Sequence, residues 1–277
     1  GSANISLGAD VGASTALSAL TTTGLLQTSD DIYTTGNQTY NSAVTVAGAG
    51  TKTLLSTAGD IVFESTLQGG TNSKSNETSL EVRTCATTGT ATSGCATGAI
   101  TFKDRVGYAF SDSTVYSGST FTDQNLYSLY ARANTINILA DIMTFETQTY
   151  SGDVLVGSVT AGDTTRTLLS VDPSITIHGT INDYGAAETH TLVTKAITFT
   201  DRQTPEVVLP VEANINNTRS LKLLTVETGQ HISNGVWGTL DSSITTGRVG
   251  RIDSVGVVSY DSIQSLTVLS TSEVNLL

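Results

Sequence analysis

DIYTTGNQTY, residues 31–40, and DIMTFETQTY, residues 141–150, agree at six of ten positions without a gap, in a frame offset by 110. A chain that writes one decapeptide twice has been built by duplication, and it must fold as units that repeat. The match extends on both sides. ALSALTTTG at 16–24 faces LYSLYARAN at 126–134 in the same frame, and YNSAVTV at 40–46 faces YSGDVLV at 150–156. Four inserted residues then shift the frame to 114, in which TKTLLSTAGDIVFESTL (51–67) aligns on TRTLLSVDPSITIHGTI (165–181). AITFKDR at 99–105 and AITFTDR at 196–202 recur only 97 apart. The second copy has therefore lost a segment, and the loop carrying Cys85 and Cys95 is the missing piece. A third, partial copy runs from SLKLLTVETG (220–229) to VSYDSI (258–263), with Tyr260 as far beyond Tyr150 as Tyr150 is beyond Tyr40. The expected organisation is three modules, 3–113, 114–213 and a partial 214–277, in one continuous rod.

Inside each module the pattern is strand. VFE, AITF, SITI, AVTV and DVLV alternate apolar with polar residues, the period of a half-buried strand. AGAG, STAGD, QGGTNSKSN and GSVTAGD between them are turn chemistry. The most helix-like window, 122–143, does not hold a 3.6-residue period, and its alignment with the Thr-rich 12–33 stretch makes it strand as well. All-β chains of this kind suit two architectures. One is a parallel β-helix (β-solenoid), coils of roughly 20–25 residues stacked about 4.8 Å apart into a rod on the order of 55 Å. The other is a tandem of Ig-like β-sandwiches, for which about 100 residues per domain is usual. The narrow apolar pairs, Ile-x-Phe or Val-x-Val, and the tolerance of insertions favour the solenoid.

Charge removes some functions. With 13 Lys+Arg against 25 Asp+Glu the chain carries a net charge of -12, so nucleic acid and anionic membrane are poor partners. No apolar run approaches a membrane span, and no membrane insertion is expected. Gly1-Ser2 reads as a cloning scar, and with no signal peptide after it an exported parent would leave this chain as an interior piece.

Candidate chemistry is sparse. Cys85 and Cys95, on a Gly/Ser/Thr loop without a nearby His, lack zinc-site spacing. They are either two free thiols or a local disulfide, which would stabilise by about 2–3 kcal/mol and indicate an extracytoplasmic compartment. His178, His190 and His231 stand singly, without HExxH or other ligand spacing, and read as solvated. Neither a nucleophile elbow nor a phosphate loop is present. Lys103-Asp104-Arg105 and Asp201-Arg202 follow AITF in both copies; a salt bridge or solvated turn explains them more simply than two active sites. Asp30, Asp31 and Asp60 on turns could help hold Ca²⁺, though no EF-hand loop surrounds them. No cofactor is expected. Tyr40, Tyr150 and Tyr260 mark the repeat. They are an aromatic ladder offered to a glycan or, the favoured reading, structural residues that cover coil edges and bond a turn through the hydroxyl. Asn37, Asn76 and Asn216 begin N-x-T sequons that read as ordinary turns.

TTGNQTYNSAVTV followed by TLLSTAGDIVFESTLQGG resembles the repeats of filamentous-haemagglutinin-like adhesins, large bacterial surface proteins exported by two-partner secretion. Their repeats read approximately T-G-x-Q-T-Y-N-x-A-V-T-L, then T-L-T-S-x-x-G-D-I-x-F. The resemblance covers residues 16–70 well and the second copy more loosely. It implies a right-handed parallel β-helix stalk with a role in adhesion or biofilm matrix. The family's amino-terminal secretion domain has no counterpart here, and a cysteine pair is unusual in such stalks.

The expectation is a non-enzymatic stalk segment of a secreted or cell-surface bacterial adhesin. Its partners would be a host or matrix glycan, a surface protein, or other copies of itself, met on the loops 68–98 and 107–122 that break the repeat. A carbohydrate-active β-helix enzyme would instead require carboxylates clustered with an Arg in one groove. A tandem Ig-like binding module would form beads, and a self-assembling fibre subunit would stack through open ends.

Overall fold

The computed structural model describes residues 3–71, 76–85, 94–107, 125–170, 174–185 and 189–192 in full, and the backbone of strands beyond these as far as Leu276. The described residues are all-β, without a helix. Their strands are short, and those with side chains in view pair in parallel with strands of other turns of the chain. Leu26, Val44 and Leu67 occupy successive parallel positions in one sheet. Gln38, Ile61 and Ile100 do so in another, and Ile32, Leu54 and Val82 along its side branch. Two antiparallel pairs occur late in the chain, Gln230–Ile232 with Val236–Gly238 and Arg251–Ile252 with Val258–Ser259.

Ile32–Thr34, Gln38–Tyr40, Val44–Val46 and Ile61–Phe63 bury their first and third side chains and leave the middle one half-buried. In-register parallel pairing then places like residues above like, since neighbouring strands lie about 4.8 Å apart. Tyr40, Phe63 and Phe102 stack this way, with ring centroids 5.1 and 5.4 Å apart. Each Val, Leu or Ile so buried contributes about 1.5–3 kcal/mol. No three-residue strand holds enough of them to stand alone, so stability comes from the parallel pairing of many short strands.

Within the window 122–143, Leu129–Ile138 is strand, as its alignment with the first copy predicts, and its period of two is broken by a bulge. Within Leu129–Ile138 the inward residues Leu129 and Ala131 are followed by Ile136 and Ile138, an odd step. The register against Gln148–Val156 shifts between Arg132 and Thr135, so Ala133 and Asn134 together oppose Gly152. A Cβ at Gly152 would collide with the Ala133 carbonyl oxygen, and its φ is 142°. Only glycine fits beneath the bulge.

Register also tests the alignment of the two copies. The 110 and 114 frames hold: Ile32 pairs with Leu54 as Ile142 pairs with Leu168, and Gln38 with Ile61 as Gln148 with Ile175. Two stretches need correction. Leu20 pairs with Gln38 while Leu129 pairs with Gln148, so before the bulge the offset is 109, and after it Leu26 pairs with Val44 as Ile136 pairs with Val154, an offset of 110. At AITF, Ile61 pairs with Ile100 while Ile175 pairs with Phe199, an offset of 99 rather than 97. Asp201 consequently stands at the register position of Phe102, not of Asp104, and Arg202 lies outside the described residues. The identical string misleads here, because the spacing of the surrounding strands, not local identity, sets the register.

Candidate functional site

The repeated decapeptide folds inward. Gln38 is fully buried, and its Nε2 donates to the Leu55 carbonyl at 2.8 Å and to Thr34 Oγ1 at 3.2 Å. The Tyr40 hydroxyl donates to Gln38 Oε1 at 2.7 Å. Thr34 and Ser56 hydroxyls both donate to the Gly36 carbonyl, at 2.5 and 2.9 Å. The second copy repeats the circuit: Gln148 to the Leu169 carbonyl at 2.7 Å and to Thr144 at 3.2 Å, and Tyr150 to Gln148 at 2.8 Å. Thr144 and Ser170 likewise meet at the Glu146 carbonyl. Tyr40 and Tyr150 are 0% exposed, so neither forms a surface ladder nor covers a coil edge. Burial pushes both phenols up, which keeps them protonated donors. Tyr260 lies outside the described residues. These residues are a closed internal network with nothing left to offer a ligand.

The cysteines sit where the copies differ. The chain leaves the ladder after Arg83 and rejoins it at Ala99, whereas Thr194 and Phe199, the counterparts of Val82 and Ile100, are separated by only a short step. Cys85 and Cys95 are joined as a disulfide, Cα atoms 5.7 Å apart, at the base of this extra loop. The Cys95 amide donates to the Ala133 carbonyl at 3.0 Å and the Asn134 amide to the Gly98 carbonyl at 3.1 Å, so the stapled base rests on the bulge. Residues 86–93, like 72–75 and 108–124, lie outside the described residues.

A second difference forms a cleft of about 730 Å³ at the junction of the copies. One wall is the turn Lys103-Asp104-Arg105 with Glu64. The other is residues 158–166 of the second copy, which include its four-residue insertion, and Leu139 with Asp141 lies between. Lys103 Nζ meets Glu64 Oε1 at 2.7 Å. Asp104 Oδ1 accepts the Arg105 amide at 2.8 Å. Arg166, its side chain 6% exposed, is the anchor. Its Nε donates to the Gly157 carbonyl at 2.6 Å, and its guanidinium lies 2.6 Å from Asp163 Oδ2 and 3.7 Å from Asp141 Oδ1.

The two carboxylates flanking Arg166 are driven apart electrostatically. The hydrogen bond from Arg166 holds Asp163 below the usual carboxylate range. Desolvation raises Asp141, against the opposing pull of the Thr167 amide and Arg166. Comparison with the first copy decides what Asp141 is for. Asp141 Oδ1 accepts the Thr167 amide at 2.8 Å, and Asp31 Oδ1 accepts the Thr53 amide at 2.8 Å. Asp31 thus makes the same tie between two turns. Its other oxygen accepts the Tyr33 hydroxyl at 2.7 Å, and that bond, with burial and the Asp31 charge, pushes Tyr33 up to about 12. The elements new to the second copy are Arg166 and Asp163, which in the 114 frame replace Lys52 and Ala49.

A third difference adjoins the cleft. Asp183, fully buried, accepts the amides of Thr189 and His190 at 2.7 Å and lies 2.5 Å from His190 Nδ1. Asp183 pairs with Val156 as Gly69 pairs with Val46, so the first copy has glycine at this place. His190 is therefore held by a carboxylate rather than solvated, a partnership the sequence hid. His178 ends the strand Ser174–His178, and His231 lies on a strand whose side chains are outside the described residues. The aspartates considered for calcium are engaged elsewhere: Asp30 Oδ2 accepts the Ser29 hydroxyl, Asp60 Oδ1 the Ala99 amide and Asp31 the two bonds above. Among the described residues no three metal-ligating side chains converge. Asn37 Oδ1 accepts the Asp60 amide at 3.0 Å, a turn as expected. Among the described residues no helix is long and apolar enough to cross a membrane.

No family model, curated protein or solved structure matches the chain.

Proposed function

We propose that this chain is a non-enzymatic structural segment of a secreted or cell-surface bacterial adhesin, wound as a parallel β-helix of the filamentous-haemagglutinin-like kind. One observation carries the reading: the buried Thr–Gln–Tyr circuit, built twice with the same partners, joins one turn of the chain to the next. Such a circuit serves length and register and catalyses nothing. The in-register parallel pairing of strands on successive turns of the chain, at Leu26, Val44 and Leu67 and at Ile32, Leu54 and Val82, supports the winding. The disulfide supports an oxidising compartment. The acidic, hydroxyl-rich exterior suits a solvated rod that contacts a glycan, a surface protein or matrix through its loops. Small-angle X-ray scattering tests this: a uniform rod cross-section is expected, and two or three beads would replace the reading with tandem sandwiches.

A second reading, a carbohydrate-active enzyme, is favoured by the cleft alone, where two carboxylates pushed in opposite directions share one arginine. Against it, Asp141 performs the same backbone tie as Asp31. Release of reducing ends from, or new ultraviolet absorbance in, neutral or uronate polysaccharides would establish it, provided Asp163→Asn abolishes the turnover.

A further inference from the structure

The cleft between Lys103-Asp104-Arg105 and residues 158–166 has a chemistry that selects among ligands. Its acids and bases largely answer one another: Glu64 is met by Lys103, and Asp163 and Asp141 by Arg166. A strongly charged ligand would find a partner on one wall and a like charge beside it. An apolar ligand would cover ion pairs that water now solvates, at a desolvation cost it could not return. A hydroxyl group both donates and accepts, so it can bridge carboxylate and guanidinium or ammonium in turn. Charge-assisted bonds of that kind are the strong ones. The cleft also has apolar lining: Val159, 59% exposed and the most exposed large hydrophobic residue among those described, and the buried Leu139. An apolar patch with a few convergent polar groups is the general form of a small-ligand site. A run of hydroxyls with an intervening C–H face describes a neutral saccharide.

The wall is also new to one copy. Asp163 and Arg166 replace Ala49 and Lys52, and Lys52 Nζ in the first copy is spent on the Ala49 carbonyl at 3.0 Å. A feature needed only to stack turns would be expected in both.

We infer that the cleft at the junction of the two copies is a binding site for an uncharged saccharide, held by Asp104 and Asp163 as hydroxyl acceptors, Lys103 as the facing cation, and Val159 against the sugar C–H face, with Arg166 holding Asp163 in place. The inference deepens the adhesin reading and rests on it for the expectation of a glycan partner. Among the described residues no aromatic side chain lines the cleft, so binding at this single site is weak.

The test is a titration of the isotope-labelled chain with cellotetraose, maltotetraose and tetragalacturonate, followed by amide NMR. At least one neutral tetrasaccharide at about 10 mM should shift the Ser158–Thr160 amides and the Arg166 Nε–H, with tetragalacturonate weaker. Val159→Ser and Asp104→Asn, both surface changes, should each weaken that binding by about fivefold to tenfold without altering the melting temperature. Leu25→Ser, an exposed site on the first copy, should change nothing. The proposal is overturned by an absence of shifts with both neutral sugars, by tighter binding of tetragalacturonate, or by binding that ignores Val159→Ser and Asp104→Asn. A chain that scatters as a rod yet binds neither sugar would sink the cleft and leave the stalk standing. A beaded chain that binds would do the reverse.

Discussion

The first copy ties Asp31 to Tyr33 and Thr53; the second ties Asp141 to Arg166 and Thr167. The buried circuit and the strand pairing around it are shared, while the bulge, the disulfide loop and the residues around this corner diverge. That difference separates what the fold requires from what a module has been free to acquire. The Thr–Gln–Tyr circuit recurs because a buried carboxamide has to have every polar atom satisfied. Arg166, Asp163, Asp183 and the disulfide loop each occur once because stacking does not depend on them.

The sharpest way to break this comparison is to remove the shared part. Gln38→Ala and Gln148→Ala each empty space in the interior and strand a tyrosine hydroxyl and a carbonyl, so each should cost about 3–5 kcal/mol in urea unfolding. A large loss in one copy with almost none in the other would show that the circuit is not a common support. Next comes the loop of the first copy. Cys85→Ser should cost about 2–3 kcal/mol and leave the far-ultraviolet strand signal intact, while amide exchange quickens at Asn134 beneath the staple. Collapse of the whole strand signal would mean that the disulfide holds more than its loop. Arg166→Lys, which gives the second copy the first copy's residue, should cost about 1–2 kcal/mol because a lysine cannot hold Gly157, Asp163 and Asp141 together. The reciprocal Lys52→Arg should be nearly neutral, and equal costs would erase the distinction between the corners.

The smallest effects are in pH. Tyr33 is raised in the folded chain, so its contribution is complete below the unfolded value near 10 and lost as pH rises towards about 12. A stability decline over that range should flatten in Tyr33→Phe. Asp163 is lowered, so its contribution is present above the ordinary carboxylate range and lost as pH falls through its folded value. Half-exposed, it should give only a shallow acid slope, absent from Asp163→Asn. A slope of equal size in that variant would assign the effect to another group.

Much of this architecture was legible in sequence. Period-two alternation at Ile61–Phe63 and Ala99–Phe102 gave the strands, and the 110 and 114 frames gave their equivalence, because side-chain parity and register are written locally. The bulge was not legible, since one extra residue among Ala133 and Asn134 changes parity without any signature of its own. Nor was the cleft, whose walls come from Glu64, Lys103–Arg105, Asp141 and Asp163–Arg166, brought together by stacking alone. Its signal was nonetheless present in the copies: Arg166 against Lys52 and Asp163 against Ala49 in a frame already aligned. Hydroxyl-bearing aromatics usually keep one end wet, which on sequence grounds puts the tyrosines at coil edges. Their glutamine partner, two residues earlier, is what lets them go inside.

That glutamine reaches forward, from its own turn to the carbonyl of Leu55 or Leu169 on the next. In the proposed β-helix, a pull from one end would peel the stack turn by turn, each step breaking only the edge it exposes. At Gln38 and Gln148 the peel meets a side chain inserted from below, and a tyrosine and a threonine must be released with it. Under load the duplicated decapeptide would behave as a pair of rip-stops. Their spacing, rather than the strength of any one rung, would set how far a tear runs before it halts.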